Sequence, residues 1–225
     1  MSDSSPYNPL DRKNLGASVA EALLGRRPKL LGELEPFSGA GIYAIYYTGK
    51  FSAYDAIVKR NIGDRFEAPI YVGKAVPQGA RKGGSDVDLL ATKALYNRLC
   101  EHAESVEATS NLDIKDFYCR FLVVDDIWIP LAESLLITKF APVWNTIIDG
   151  FGNHDPGKGR YEGMRPRWDV LHPGREWAIK CKERPETAAQ IIADVGEHLR
   201  SKPIPPTPNV YAEQTRAKYK RTDKD

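Results

Sequence analysis

The chain has 225 residues, 32 Lys plus Arg against 30 Asp plus Glu, a formal net charge of +2 and 42% hydrophobic residues. That length suits one domain with extensions or two small ones, and the apolar content excludes wholesale disorder. No apolar run approaches the about 18 residues of a membrane helix, and Cys100, Cys119 and Cys181 are too widely spaced for a disulfide framework or a CxxC zinc pair. The opening MSDSSPYNPLDRKNLG has no basic segment leading into an apolar one, so no secretory signal is expected, and a cytoplasmic location is.

Along the chain, residues 1–14 are polar, and Leu15 to Leu24 is predicted as a short amphipathic helix ended by Gly25. Gly39 to Tyr47 (GAGIYAIYY) is rich in β-branched and aromatic residues and is predicted as a strand. Phe51 to Arg60 is predicted helical, and Pro69 to Lys74 (PIYVGK) as a second strand entered through Pro. A turn-rich loop follows from Ala75 to Asp86, then helical spacing from Leu89 to Glu104. Asp116 to Val124 is the third predicted strand, and Trp128 to Phe140 an apolar helix with Pro130 near its start. Phe151 to Trp177, dense in Gly, Pro, Arg and Trp, is expected to be ordered loop. Thr187 to Leu199 is the last predicted helix, and KPIPPTP after it disfavours further packing. The order predicts an α/β (α+β) layer: a small central three-stranded sheet flanked by helices, with N- and C-terminal extensions.

Charge is unevenly spread. Pro156 to Lys182 carries seven Lys/Arg against three Asp/Glu, and Glu213 to Asp225 five against three, whereas Glu101 to Asp116 holds five acids and one Lys. Basic segments alternating with an acidic one fit a surface that holds a polyanion in one place and is solvated elsewhere, or ordinary scattered surface charge.

Glu133 is the most informative single residue, because nearly every neighbour in IPLAESLLI is apolar. A carboxylate there wants a salt bridge, the edge of a cleft or a metal ion, unless it lies on the wet face of its helix. Arg98 and His102 are one helical turn apart in ALYNRLCEH. A guanidinium beside an imidazole asks for an anion between them, for which a phosphate is the obvious candidate, unless Glu101 pairs with Arg98 instead. Tyr43 and Tyr71 each sit near a glycine that permits close backbone approach, although strand tyrosines are usually packing residues with a wet hydroxyl. Asn145 in PVWN fits an ordinary turn.

Together these residues resemble the GIY-YIG nucleases. Gly41 to Tyr43 (GIY), Tyr71 to Gly73 (YVG), Arg98, Glu133 and Asn145 match that family's motif order over residues 39–146, and His102 resembles the restriction-endonuclease branch. The family sets its tyrosine motifs much closer than the 28 residues that separate Tyr43 from Tyr71, so an insertion over 50–68 must leave and rejoin the sheet; a second insertion covers 75–88. The resemblance implies residues 1–38 as an N-terminal arm making dimer or DNA contacts, a nuclease core over 39–146 and a C-terminal extension over 147–225. It also implies a Type II restriction enzyme that cuts a GC-rich palindrome such as CCGCGG, acting as a homodimer on double-stranded DNA, with a cognate DNA methyltransferase in the same host.

Phosphodiester hydrolysis needs an activated water, charge stabilisation on the phosphoryl oxygens and help for the leaving 3′-oxygen. The resemblance assigns Glu133 to one Mg²⁺, with Mn²⁺ as a substitute, and Arg98 to a non-bridging oxygen. Tyr43 and Tyr71 fall beside the water, and which of them faces it is open. His102 is the group able to take a proton near neutrality. Lys74 is a further phosphate or water-orienting candidate, and Asn145 positions the substrate backbone or a catalytic partner. Guanine reading by basic side chains would come from Gln78, Arg81 and Lys82 or from Lys158, Arg160, Arg165 and Arg167. A homing or repair nuclease, a non-catalytic DNA-binding protein and a structural protein with a Glu133 salt bridge are the competing readings.

Overall fold

Every residue of the strand Gly41–Tyr47 is buried, which requires cover on both faces of the sheet. The computed structural model, which describes residue 8 and residues 10–77, 91–157, 159 and 161–202, supplies that cover. The strands are β1 (Lys29–Leu30), β2 (Gly41–Tyr47), β3 (Pro69–Ala75) and β4 (Phe117–Val123), in the antiparallel order β1-β4-β2-β3. One strand more than expected is present, because two residues of β1 are too few to show a period. The helices are α1 (Arg12–Leu24), α2 (Asp55–Asn61), α3 (Ala94–Glu107), α4 (Ile129–Phe140), α5 (Val143–Thr146), α6 (Arg167–Leu171), α7 (Glu176–Ile179) and α8 (Ala188–Ser201).

Alternation along β2 sorts its side chains between two cores. Tyr43, Ile45 and Tyr47 join Leu95 and Leu99 of α3, Phe117, Trp144, Phe151 and Trp168 on one face. Ile42, Ala44 and Tyr46 join Leu122, Leu23 of α1 and Ile129, Ala132 and Leu136 of α4 on the other. The apolar face of α1 is therefore spent inside the chain, against α4. Helix α3 starts at Ala94 instead of Leu89 and runs on to Glu107, because Val106 continues the buried stripe of Leu95, Leu99, His102 and Ala103. The segment expected to be ordered loop contains the short helix α6 and the start of α7.

The long spacing between the tyrosine strands is closed by one side chain. After a 3₁₀ turn at Ser52–Tyr54 and α2, buried Asn61 donates to the carbonyls of Tyr47 (3.0 Å) and Ala68 (2.9 Å), and accepts from the Ala68 amide at 2.9 Å. The insertion thus leaves β2 and enters β3 at one pinned point. A buried polar chain ties it to the C-terminal extension: Trp144 Nε1 donates to the Tyr54 hydroxyl (2.9 Å), which donates to His172 Nε2 (2.7 Å). His172 Nδ1 lies 3.0 Å from Asn111 Oδ1, and Asn111 Nδ2 donates to the Leu171 carbonyl at 2.9 Å, so every partner has a defined role.

Candidate active site

Strand pairing builds the centre of the site. Register sets Tyr43 opposite Gly73 and Ile45 opposite Tyr71, which puts both tyrosines on the α3 face, with ring centroids 6.2 Å apart. A Cβ at Gly73 would lie 2.4 Å from the Tyr43 hydroxyl, so the glycine of YVG makes the space in which that phenol sits. One turn of α3 then delivers Arg98 and His102. The Tyr43 hydroxyl meets His102 Nε2 at 2.6 Å, and both residues are 1% exposed.

Protonation follows from this burial. Burial first, and then the Tyr71 phenol beside it, push Tyr43 well above the ordinary phenol range, although Arg98 opposes them. Burial and then the Arg98 guanidinium hold His102 well below the usual imidazole range, so it is neutral. With the imidazole neutral, the phenol donates its own proton to the Nε2 lone pair. The His102 ring is stacked on Phe151 at 4.4 Å, which fixes its plane.

Arg98 is satisfied by groups that an anion can replace. Its Nη2 donates to the Gly152 carbonyl at 2.7 Å, and its Nη1 meets Glu101 Oε2 at 2.9 Å and His154 Nε2 at 2.6 Å. These groups line an open cleft of about 670 Å³ that also takes in Lys74, Val76, Thr92 and Asn97. The expected alternative partner, Glu101, is present, and it shares the guanidinium with two others.

Lys74 and Glu133 meet on the α4 side. Lys74 pairs with Ile42 in the register, one step from Gly73, and its ammonium lies 2.7 Å from Glu133 Oε2. Because β3 is an edge strand, the two faces communicate round it: the Glu133 charge acts on both Tyr43 and Tyr71. The Glu133 side chain is 18% exposed and carries a cation on one oxygen. Among the described residues no group of three or more His, Cys, Asp or Glu side chains could share an ion. A single carboxylate fits Mg²⁺, which keeps several waters and takes substrate phosphate, and it does not fit a closed zinc site. Asn145 is spent on the backbone: its Oδ1 accepts from the Val72 amide and its Nδ2 donates to the Val72 carbonyl, both at 2.8 Å, next to Tyr71.

Of the residues expected to read bases, the described ones, Arg165 and Arg167, do not line this cleft. Gln78, Arg81, Lys82, Lys158 and Arg160 lie outside the described residues. Arg165 caps α7, donating to the carbonyls of Ala178 (3.0 Å) and Ile179 (3.2 Å). Arg167 donates to the Ile147 carbonyl and pairs with Asp194 and Glu186. In the free chain both guanidiniums hold the extension together. Gly152, His154 and Phe151, which touch the site directly, were not anticipated. They fall beyond the last family motif, and the only signal was the Gly- and His-containing run FGNHDPG.

A central antiparallel sheet bearing two paired tyrosines, an arginine and a histidine on the next helix and a lone carboxylate on a later one defines a nuclease of the GIY-YIG class. A family model described as the Eco29kI GIY-YIG domain matches residues 35–199, and the chain belongs to that family of restriction endonucleases. No curated protein matches the sequence.

Proposed function

We propose that this nuclease is a Mg²⁺-dependent Type II restriction endonuclease that hydrolyses double-stranded DNA at a short GC-rich palindrome and leaves double-strand breaks. The observation that carries the reading is the 2.6 Å contact between the buried Tyr43 hydroxyl and His102 Nε2, one helical turn from Arg98, which lines an open cleft. A scissile phosphate taken up by Arg98 replaces the partners that the guanidinium now holds. Tyr43 accepts a proton from the attacking water as its own passes to His102. An unassisted phenol is a poor base at neutral pH, and a phenolate is disfavoured further by burial, so the two transfers run together. The arriving phosphate also cancels the Arg98 charge, the second cause of the low basicity of His102. Tyr71 packs edge-on against His102 and borders the water. Glu133 would hold Mg²⁺, which when bound neutralises charge on the phosphate and the leaving oxygen. Lys74, now paired with Glu133, would then be available to the phosphate or the water. A cognate methyltransferase would protect host copies of the target.

Plasmid cleavage by the full chain is the test. Cutting should require Mg²⁺ and stop with a chelator. Glu133→Ala should abolish cutting and leave salt-dependent DNA binding, because phosphate contacts dominate affinity. Equal loss of binding and cutting in a folded variant would count against the metal role.

A further inference from the structure

Arg98 stands between two imidazoles. On its Nη2 side lie the Gly152 carbonyl and the buried Tyr43–His102 pair; a Cβ at Gly152 would fall 2.8 Å from Nη2, 2.9 Å from the Tyr71 hydroxyl and 3.9 Å from His102 Cε1. On its Nη1 side lie His154 Nε2, at 2.6 Å, and Glu101 Oε2. The His154 side chain is 62% exposed at the cleft mouth, the opposite of sealed His102. A phosphate held by Arg98 has the water-activating pair on its buried side and His154 on its open side. In-line displacement places the attacking and leaving oxygens on opposite sides of phosphorus. We propose that His154 is the general acid that protonates the leaving 3′-oxygen, an assignment that rests on the nuclease reading above.

The loop that carries His154 is held in place. Arg175, 5% exposed, donates to the carbonyls of Gly150 (2.9 Å), Phe151 (3.1 Å) and Asn153 (3.1 Å). Its guanidinium is paired with Asp169 at 2.7 and 2.6 Å and lies over the Trp168 and Trp177 rings, at 4.4 and 4.7 Å. One buried cation thus fixes three carbonyls in the four residues just before His154, and with them the placement of the imidazole.

The proton balance closes. In the free protein Arg98 Nη1 donates to His154 Nε2, so that nitrogen carries a lone pair. When a phosphate oxygen takes Arg98, Nε2 is released and takes a proton from solvent. Glu101 lies 3.5 Å away, and Glu104, Asp155 and Glu176 line the same part of the surface. The water oxygen then bonds to phosphorus as the P–O3′ bond breaks. The electron pair of that bond stays on O3′, which takes the Nε2 proton. The products are a 5′-phosphate, a 3′-hydroxyl and neutral His154, while the water's proton leaves through Tyr43 to His102.

Single-turnover cleavage of a duplex carrying the mapped site, with either oxygen or sulfur as the 3′-bridging atom, tests this. A thiolate leaves without a proton. His154→Ala and His154→Gln, the second of which still accepts from Arg98, should cut the oxygen duplex about 10²-fold more slowly than wild type or worse. Both should cut the sulfur duplex at close to the wild-type rate. Equal slowing on both duplexes, or recovery on the oxygen duplex with Gln alone, would make His154 a positioning residue and overturn the proposal, as would normal cleavage by His154→Ala. A wild-type chain that cuts neither duplex overturns the nuclease reading itself, and the acid with it.

Discussion

Tyr43→Phe keeps the ring that fills the core and removes the one oxygen that faces His102. A buried imidazole nitrogen left without its donor costs about 1–3 kcal/mol, so the variant should fold, with a lower melting temperature. Turnover should fall by about 10²- to 10⁴-fold, the usual contribution of a positioned acid or base. Near-normal turnover would move the water-activating role to Tyr71. Gly73→Ala should reproduce the defect without touching a polar group, since its Cβ would press on the Tyr43 hydroxyl from 2.4 Å. The pH dependence follows from the same burial. A His102 base of ordinary basicity would lose activity near pH 6.5, but burial and Arg98 hold this imidazole well below that. The acid limb of kcat/KM, which reports the free enzyme, should therefore lie well under 6.5 and disappear in His102→Ala.

Asn145 shows how an element can matter to chemistry it does not touch. Its amide satisfies both polar groups of Val72 on the free edge of β3, and Val72 sits between Tyr71 and Gly73. Asn145→Ala leaves two backbone groups unpaired, and hydrogen exchange at the Val72 amide should quicken together with a loss of cutting. Unchanged exchange with lost cutting would instead make Asn145 a substrate contact. His172 plays a comparable part between the insertion and the extension. Burial lowers its pKa from 6.5 to about 3. The unfolded chain takes a proton that the folded one refuses, so this contribution is complete above about pH 6.5 and is lost as pH falls towards 3. Thermal melts of His172→Gln should show lower stability at about pH 7 and a flatter decline towards about pH 4 than wild type. An unchanged decline would assign acid sensitivity to other groups.

What could be read from the sequence at this scale depended on period. β2 carries an unbroken apolar run and α4 a strongly apolar one, in which Glu133 stands out as an interruption. β1 has two residues and α6 and α7 have five and four, too few to repeat a pattern. The motif residues were legible for a different reason: strand register and one helical turn are enough to bring Tyr43, Tyr71, Arg98 and His102 together. Gly152 and His154 reach Arg98 only through tertiary packing, by a loop whose position depends on Arg175, twenty-one residues beyond His154. No local spacing encodes that approach.

At the scale of the whole molecule, the proposed double-strand break asks how one cleft could serve two strands. Each chain brings one Arg98, one Tyr43–His102 pair and one Glu133, which is the equipment for one phosphodiester. A palindrome presents the same phosphate twice, related by a two-fold axis, and a two-fold dimer matches it with the fewest distinct contacts. The apolar face of α1 packs against α4 within the chain. A dimer that cuts each strand with a different subunit makes a quantitative demand on mixtures. When wild-type and Glu133→Ala chains are combined before DNA is added, heterodimers should nick one strand of a supercoiled plasmid, and open circles should accumulate in proportion to the mixed fraction. Wild-type dimers in the same tube should still give linear product. If linear product fell and no open circles appeared, cleavage of the two strands would have to be coupled through both sites. Full double-strand cleavage by a chain that light scattering shows to be monomeric on its DNA would rule the dimer out, and would require one cleft to engage the two strands in turn.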